Sequence, residues 1–256
     1  MSAATTEPAL QLTGLVKEFD DRLVVDHVDL TVPQGAFLGL VGQNGAGKTT
    51  TLSMAVGLLR PDGGRARILG VDVWGEPERA GELVGVLPDG LALPERLTGR
   101  EVLTYLGLVR GLPPAVVAER AEELLAVLEL ERAGRTLVID YSTGMRKKIG
   151  LAMALLHAPR LLVLDEPLEA VDPVSAATIK SILRGFVAGG GSVVLSSHVM
   201  ALVEQLCGHV AVIDRGRVVA AGTLAEVTAG RALEDRFVEL VGAREDRDRG
   251  LTWLSR

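Results

Sequence analysis

The chain of 256 residues carries a net charge of −6 at pH 7, with 48% hydrophobic residues and a single cysteine, Cys207. This composition indicates a globular protein with a sizeable core, and it excludes an internal disulfide and a cysteine-rich metal site. The negative charge argues against nucleic acid as the main partner, because binding to a phosphate backbone requires a basic face.

Neither a membrane span nor a secretion signal is predicted. No apolar stretch approaches the roughly 18 residues that a bilayer-spanning helix needs. The first residues also lack a basic region followed by an apolar one. We therefore expect a cytoplasmic protein without a membrane span of its own.

The first third of the chain predicts strands. Val28, Leu30 and Val32 alternate with polar residues, which is the period of a strand with one buried face. A Pro-Gln-Gly turn follows, so residues 10–40 are predicted to form a small antiparallel β unit. Phe19 lies within this unit, and the local pattern favours a core aromatic.

The apolar run at residues 37–41 leads into a glycine-rich loop and a helix that begins near Lys48. The loop consists of Gly42, Gln43, Asn44, Gly45, Ala46, Gly47, Lys48, Thr49 and Thr50. Its glycines let backbone N–H groups converge on phosphate oxygens, and the helix N-terminus adds partial positive charge. Lys48 would reach the β- and γ-phosphates of a nucleotide, and the Thr49 hydroxyl would bind Mg²⁺.

Helices dominate the middle of the chain. The helix after the loop is predicted to run to Leu59, and a strand is expected at residues 65–69. The capping-box spacing of Thr98 and Glu101 predicts a second helix. Its apolar face would carry Val102, Leu103, Tyr105 and Leu106. Further helices are predicted after a Pro-Pro pair at residues 113–114 and after Ser142.

Carboxylates follow the next predicted strand. Residues 161–164 form a fully apolar run typical of a central parallel strand, and it ends in Asp165 and Glu166. Ligands of open α/β sheets bind at such strand ends. We expect Asp165 to hold Mg²⁺ through water and Glu166 to act as general base. A strand at residues 192–196 would bring His198 to the same edge, within reach of a γ-phosphate oxygen.

A short motif before the second apolar strand identifies a family. Residues Tyr141, Ser142, Thr143, Gly144 and Met145 resemble the signature of ABC ATPases, in the form common among ATPase subunits of exporters. The other motifs of that family follow in its order. They are the phosphate loop, the strand ending in Asp165–Glu166, a D-loop-like run at residues 169–172 and the switch histidine His198.

The resemblance implies a fold and a division of the chain. The fold would be an α/β P-loop NTPase of the ABC type, with a mostly parallel core sheet, an N-terminal antiparallel β unit and an inserted α-helical subdomain. We predict the ATP-binding core at residues 1–96 and 159–242, the helical subdomain at residues 97–158, and a charged C-terminal tail at residues 243–256.

The resemblance also implies roles for individual residues. Phe19 takes the place of the A-loop aromatic that stacks on adenine. Asp89 replaces the Q-loop glutamine, and its carboxylate either approaches Mg²⁺ or lies farther away on a rerouted loop. Ser142 and Gly144 of one subunit would close over ATP held by the other subunit's phosphate loop. Thr143, Met145 and Asp172 are also expected to bind the nucleotide.

The predicted function is that of an ATPase subunit of an ABC exporter. It would bind ATP and Mg²⁺, dimerise with a second ATPase subunit and drive separate transmembrane permease subunits from the inner face of the membrane. The alternative is a soluble ABC-type ATPase in translation or DNA repair. Such relatives usually carry two cassettes in one chain, a long coiled coil, zinc ligands or a basic linker, and none is visible here.

Overall fold

The computed structural model describes residues 7–242, so the predicted tail at residues 243–256 lies outside the described residues. The strands are β1 (Leu10–Phe19), β2 (Arg22–Val32), β3 (Phe37–Val41), β4 (Gly63–Ile68), β5 (Val71–Asp72), β6 (Val84–Leu87), β7 (Leu161–Leu164), β8 (Ser192–Ser197), β9 (His209–Asp214) and β10 (Arg217–Thr223). The helices are α1 (Lys48–Ala55), α2 (Pro77–Leu83), α3 (Gly99–Val109), α4 (Pro114–Val127), α5 (Thr143–Leu155), α6 (Pro173–Ala188), α7 (Met200–Leu206), α8 (Leu224–Thr228) and α9 (Leu233–Gly242).

A six-stranded sheet in the order β10-β9-β3-β8-β7-β6 forms the centre of the molecule. Its pairs are parallel except β9 with β10, which form an antiparallel hairpin. On β7, Leu162 and Leu164 pack into one core cluster while Leu161 and Val163 pack into another on the opposite face. Burial on both faces explains why this strand is apolar without alternation. The mostly parallel α/β core is confirmed.

A second sheet, in the order β2-β1-β4-β5, is antiparallel. The prediction of one antiparallel unit spanning residues 10–40 was wrong at its end. All five residues of β3 are buried, so β3 lies inside the parallel sheet. The antiparallel sheet includes β4 instead, which pairs with β1. The strands β1 and β2 cover one face of the core sheet with their buried side chains.

The helical region begins with the predicted capping box. The Thr98 hydroxyl accepts from the Glu101 backbone N–H, and the Glu101 carboxylate accepts from the Thr98 N–H at 2.8 Å. Val102 and Leu103 are buried as expected, but Tyr105 is 60% exposed, so its assignment to the apolar face was wrong. Tyr105 lies two residues after Leu103, about 200° around the helix, and therefore points away from the core.

Helix α1 is shorter than predicted, because it ends at Ala55 rather than near Leu59. Gly57 has a φ of +81°, a left-handed conformation that ends the helix. The predicted helical subdomain at residues 97–158 contains α3, α4 and α5, and its boundaries stay predictions. In the described part of the chain, no helix is long and apolar enough to cross a membrane.

His157 follows α5, and its Nε2 lies 3.0 Å from the carbonyl oxygen of Val84 on β6. Burial, reinforced by the charge of Arg110, lowers the pKa of His157 from 6.5 to about 4. Because the folded-state pKa is the lower one, the unfolded chain takes up the proton first as pH falls. The stabilisation by neutral His157 is therefore complete above pH 6.5 and is lost between about pH 6.5 and 4.

We expect His157→Gln to reduce this pH dependence, because glutamine keeps an N–H donor for Val84 and does not titrate. After allowance for solvent screening of the partly exposed ring, the wild type should lose about 1 kcal/mol more unfolding free energy than the variant between pH 7 and 5. Urea unfolding of both proteins at the two pH values measures this difference. Equal pH dependence of the unfolding free energy in the two proteins would contradict the assignment of this pH dependence to His157.

Candidate active site

The phosphate loop lies between β3 and α1, where close packing requires its glycines. A Cβ on Gly42 would lie 2.5 Å from the Ile213 carbonyl oxygen. Gly47 has a φ of +102°, and a Cβ there would lie 2.8 Å from the Val24 carbonyl oxygen. Close packing against the neighbouring strands therefore requires glycine at both positions, and the loop leads directly into the N-terminus of α1, which carries partial positive charge.

Lys48 is only 6% exposed and lies against the loop. Its Nζ donates to the carbonyl oxygen of Gly42 at 2.8 Å and lies 3.3 Å from that of Gln43. The same amine is 3.7 Å from Oε1 of Glu166. The structure therefore brings the predicted phosphate-binding lysine and the predicted general base together.

Asp165 and Glu166 follow β7, as the sequence predicts, and Ser196 joins them. The Ser196 hydroxyl donates to the buried Asp165 carboxylate and accepts from the Glu166 backbone N–H at 2.8 Å. The backbone N–H of Asp165 also donates to the Leu87 carbonyl at the end of β6. Sequence reasoning missed Ser196, although a polar residue near the end of an apolar strand is a signal that could have found it.

Glu166 also contacts the predicted switch residue. Its Oε1 is 3.1 Å from Nδ1 of His198, which follows β8. Glu166 has a φ of +45°, which is uncommon for a residue with a side chain and characteristic of functional sites. The carboxylate thus lies between the amine of Lys48 and the imidazole of His198, where it can accept a proton from a reacting water.

A cavity of about 360 Å³ extends from the phosphate loop to the ends of β6 and β7. Its lining residues are Val24, Gln43, Asn44, Gly45, Gly47, Lys48, Thr49, Thr50, Asp89, Glu166 and Glu169. The phosphate loop, Asp89 and Glu166 therefore line one cavity. The side chain of Thr49 is one of the oxygen-bearing groups in its lining. Among residues 7–242, no cluster of three or more histidine, cysteine or acidic side chains is arranged to hold a metal ion.

Asp89 has a cationic neighbour that sequence reasoning missed. The side chain is half exposed, and its Oδ1 lies 3.6 Å from Nζ of Lys147. That amine also donates to the backbone carbonyl of Glu166 at 2.8 Å. The basic run that follows Met145 was the sequence signal for this residue.

The signature residues lie at the start of α5, away from the phosphate-loop cavity. Ser142 is the N-cap, and its hydroxyl accepts from the Met145 backbone N–H. Gly144 is buried, and a Cβ there would lie 2.8 Å from both Asp172 Oδ2 and Ser175 Oγ. Neither the signature residues nor Asp172 line the cavity around Lys48.

Asp172 caps α6 by accepting from the backbone N–H groups of Val174 and Ser175. The hydrogen bonds from Ser175 hold the pKa of the Asp172 carboxyl below its usual value. Its predicted contact with a nucleotide stays a prediction, as do those of Ser142, Thr143, Gly144 and Met145.

Phe19 ends β1 and is 44% exposed, so its interpretation as a core aromatic was wrong. Its ring lies 5.3 Å from Nζ of Lys17. Val24, rather than Phe19, lines the cavity beside the phosphate loop. The adenine-stacking role of Phe19 stays a prediction.

Comparison with known proteins identifies the family. Residues 25–169 match the ABC transporter family. The chain is 41% identical over 224 residues to the daunorubicin/doxorubicin resistance ATP-binding protein DrrA of Streptomyces peucetius, and the match covers 87% of this chain and 68% of that protein. It is 38% identical over 215 residues to the Nod factor export ATP-binding protein I of Ralstonia nicotianae, with 84% and 67% covered.

A solved structure of an ATP-binding subunit of an ABC transporter is also similar. It superposes with a TM-score of 0.84 at 30% sequence identity, covering 91% of this chain and 99% of that one. This similarity over nearly the whole chain agrees with the α/β fold described above. The chain therefore belongs to the ABC transporter family, as one of its ATP-binding and ATP-hydrolysing subunits.

Proposed function

We propose that this chain is the ATPase subunit of an exporter, that it hydrolyses Mg·ATP in a head-to-tail dimer, and that it drives separate membrane subunits. The observation that carries the proposal is the position of Glu166 between Lys48 and His198, beside the phosphate-loop cavity. Relatives named as drug-resistance and Nod factor export proteins support the direction of transport.

In this function, the backbone N–H groups of the loop and the amine of Lys48 bind the phosphates. Glu166 accepts the proton of the attacking water, and it is oriented by its neighbours rather than by solvent. His198 contacts the same carboxylate, which supports a role for it in binding a γ-phosphate oxygen and sensing hydrolysis. Exclusion of water when a second subunit covers the cavity would strengthen each of these electrostatic contacts.

The residues around the cavity fit Mg²⁺. The oxygen donors we propose are the Thr49 hydroxyl, which lines the cavity, and the Asp165 carboxylate, which follows β7, whereas Asp89 lines the cavity but pairs with Lys147. Mg²⁺ is usually bound by one or two carboxylates together with substrate phosphates and water, so it does not require a cluster of three metal-binding side chains, and residues 7–242 hold no such cluster. When bound, the ion would neutralise phosphate charge, while the hydrogen bond from the Ser196 hydroxyl orients the Asp165 carboxylate.

We infer the dimer from the separate positions of two sets of predicted nucleotide-binding residues, those of the phosphate loop and those at the start of α5. The start of α5 carries backbone N–H groups and a positive dipole end, yet it lies outside the cavity of its own subunit. A second copy placed head to tail would bring Ser142 and Gly144 against ATP held by its partner. Phe19 would stack on the adenine, and Asp172 would lie close to the dimer interface.

The experiment that tests this function is purification of the tagged full-length chain from detergent-extracted native membranes, followed by identification of the proteins bound to it. We expect a polytopic membrane protein in stoichiometric amount and ATPase activity in the complex. The same tagged chain isolated from the soluble fraction is the control. Enrichment of ribosomes or DNA in place of a membrane protein would favour the soluble alternative.

A further inference from the structure

Lys147 links helix α5 to two loops at the edge of the core sheet. It lies two residues after Met145, the last residue of the signature, and its side chain is only 15% exposed. Its amine donates to the Glu166 carbonyl oxygen at 2.8 Å and lies 3.6 Å from the Asp89 carboxylate. One cation therefore contacts the loop after β6 and the loop after β7.

The contact with the Glu166 carbonyl bears on the conformation of the base. A residue with a side chain seldom adopts a φ of +45° unless its surroundings hold it there. Ser196 binds the N–H of Glu166 and Lys147 binds its carbonyl oxygen, so both peptide groups flanking this strained residue are fixed. Fixing them determines where the Glu166 carboxylate points.

The contact with Asp89 bears on charge. Strands β6 and β7 pair in register at Leu87 and Leu164, so the loops that follow them are neighbours. Asp89, Glu166 and Glu169 line the same cavity, where phosphate oxygens would add further negative charge. The amine of Lys147 offsets part of this repulsion. A neutral glutamine at position 89 would add no negative charge and would not need such a partner.

We propose that Lys147 is a positioning residue for ATP hydrolysis: it holds Glu166 in its left-handed conformation and pairs with Asp89. Helix α5, which begins with the signature, is thereby connected to the base of its own subunit. This inference rests on the proposed role of Glu166 as general base. The pair of Lys147 and Asp89 departs from the family pattern, which has glutamine where this chain has Asp89.

The test begins with Lys147→Met, which keeps the length of the side chain and removes the amine. We expect kcat of the isolated full-length chain to fall about tenfold, because the base is less well placed. KM for ATP should change less than twofold, because Lys48 and the loop remain intact. Lys147→Arg, which keeps a donor and the charge, should recover most of the lost kcat.

Lys148→Met is the matched control. The neighbouring Lys148 is more deeply buried, with 6% of its side chain exposed against 15% for Lys147, and it pairs with Glu129, 3.2 Å away and outside the cavity. Thermal melts of both variants measure any general loss of stability. A kcat for Lys147→Met within twofold of the wild type, or an equal loss in Lys148→Met, would overturn the proposal.

Asp89→Asn provides a second test at a half-exposed position that should fold normally. We expect a loss of kcat of about threefold in the wild-type background and almost none in the Lys147→Met background, because the partner is already absent. Additive losses would refute the pairing. An unchanged kcat in Glu166→Gln would contradict the proposed role of Glu166 as base. A kcat that falls in Glu166→Gln but not in Lys147→Met would contradict only the role of Lys147.

Discussion

Glu166→Gln is expected to lower kcat for ATP hydrolysis by about 10²- to 10⁴-fold, equivalent to about 3–5 kcal/mol in the activation barrier. The amide cannot accept the proton of the attacking water. The contacts of Lys48 with the loop do not involve Glu166, so ATP affinity should stay within a few fold of the wild type. Removal of one negative charge beside the phosphates should also favour an ATP-bound dimer.

Steady-state hydrolysis, equilibrium binding of a fluorescent ATP analogue and size-exclusion chromatography with ATP measure these effects. Glu169→Gln is the control, because Glu169 lines the same cavity and the change removes the same charge. It should leave kcat within a few fold of the wild type. A kcat for Glu166→Gln within twofold of the wild type would remove Glu166 from the role of base.

Ser142→Asp is expected to abolish dimer-dependent hydrolysis, with a loss of about 10²-fold or more, while the monomer still binds ATP. Aspartate caps a helix as well as serine does, so α5 should remain intact. In the head-to-tail dimer, however, its carboxylate would face the partner's γ-phosphate, and such like-charge contacts cost several kcal/mol. The loss should appear in kcat and in the fraction of dimer formed with ATP.

Ser142→Asn is the matched control, since asparagine is also a good N-cap and adds no charge. It should retain far more activity than Ser142→Asp. Gly144→Asp is less informative, because its Cβ would lie 2.8 Å from Asp172 of the same subunit. Loss of ATP binding by monomeric Ser142→Asp would place the signature in its own subunit's site and refute the head-to-tail arrangement.

Local chemistry made much of this protein predictable from its sequence. Strand and helix periods, the capping box at Thr98 and the turn residues each depend on neighbours a few positions away. The phosphate loop and the Asp165–Glu166 pair are contiguous motifs, so their placement at strand ends followed from the direction of parallel strands. The sequence by itself therefore determined the fold class and the main elements of the ATP site.

Only the tertiary structure decided features that depend on contacts between distant segments. β3 belongs to the parallel sheet because it pairs with β8 and β9, which lie far along the chain. Phe19 is exposed at the end of β1, although the local pattern of the strand favours a buried aromatic. Ser196 and Lys147 gain their roles from contacts with Glu166 across 30 and 19 residues. Such long-range contacts leave no local period in the sequence, so they become visible only when the chain is folded.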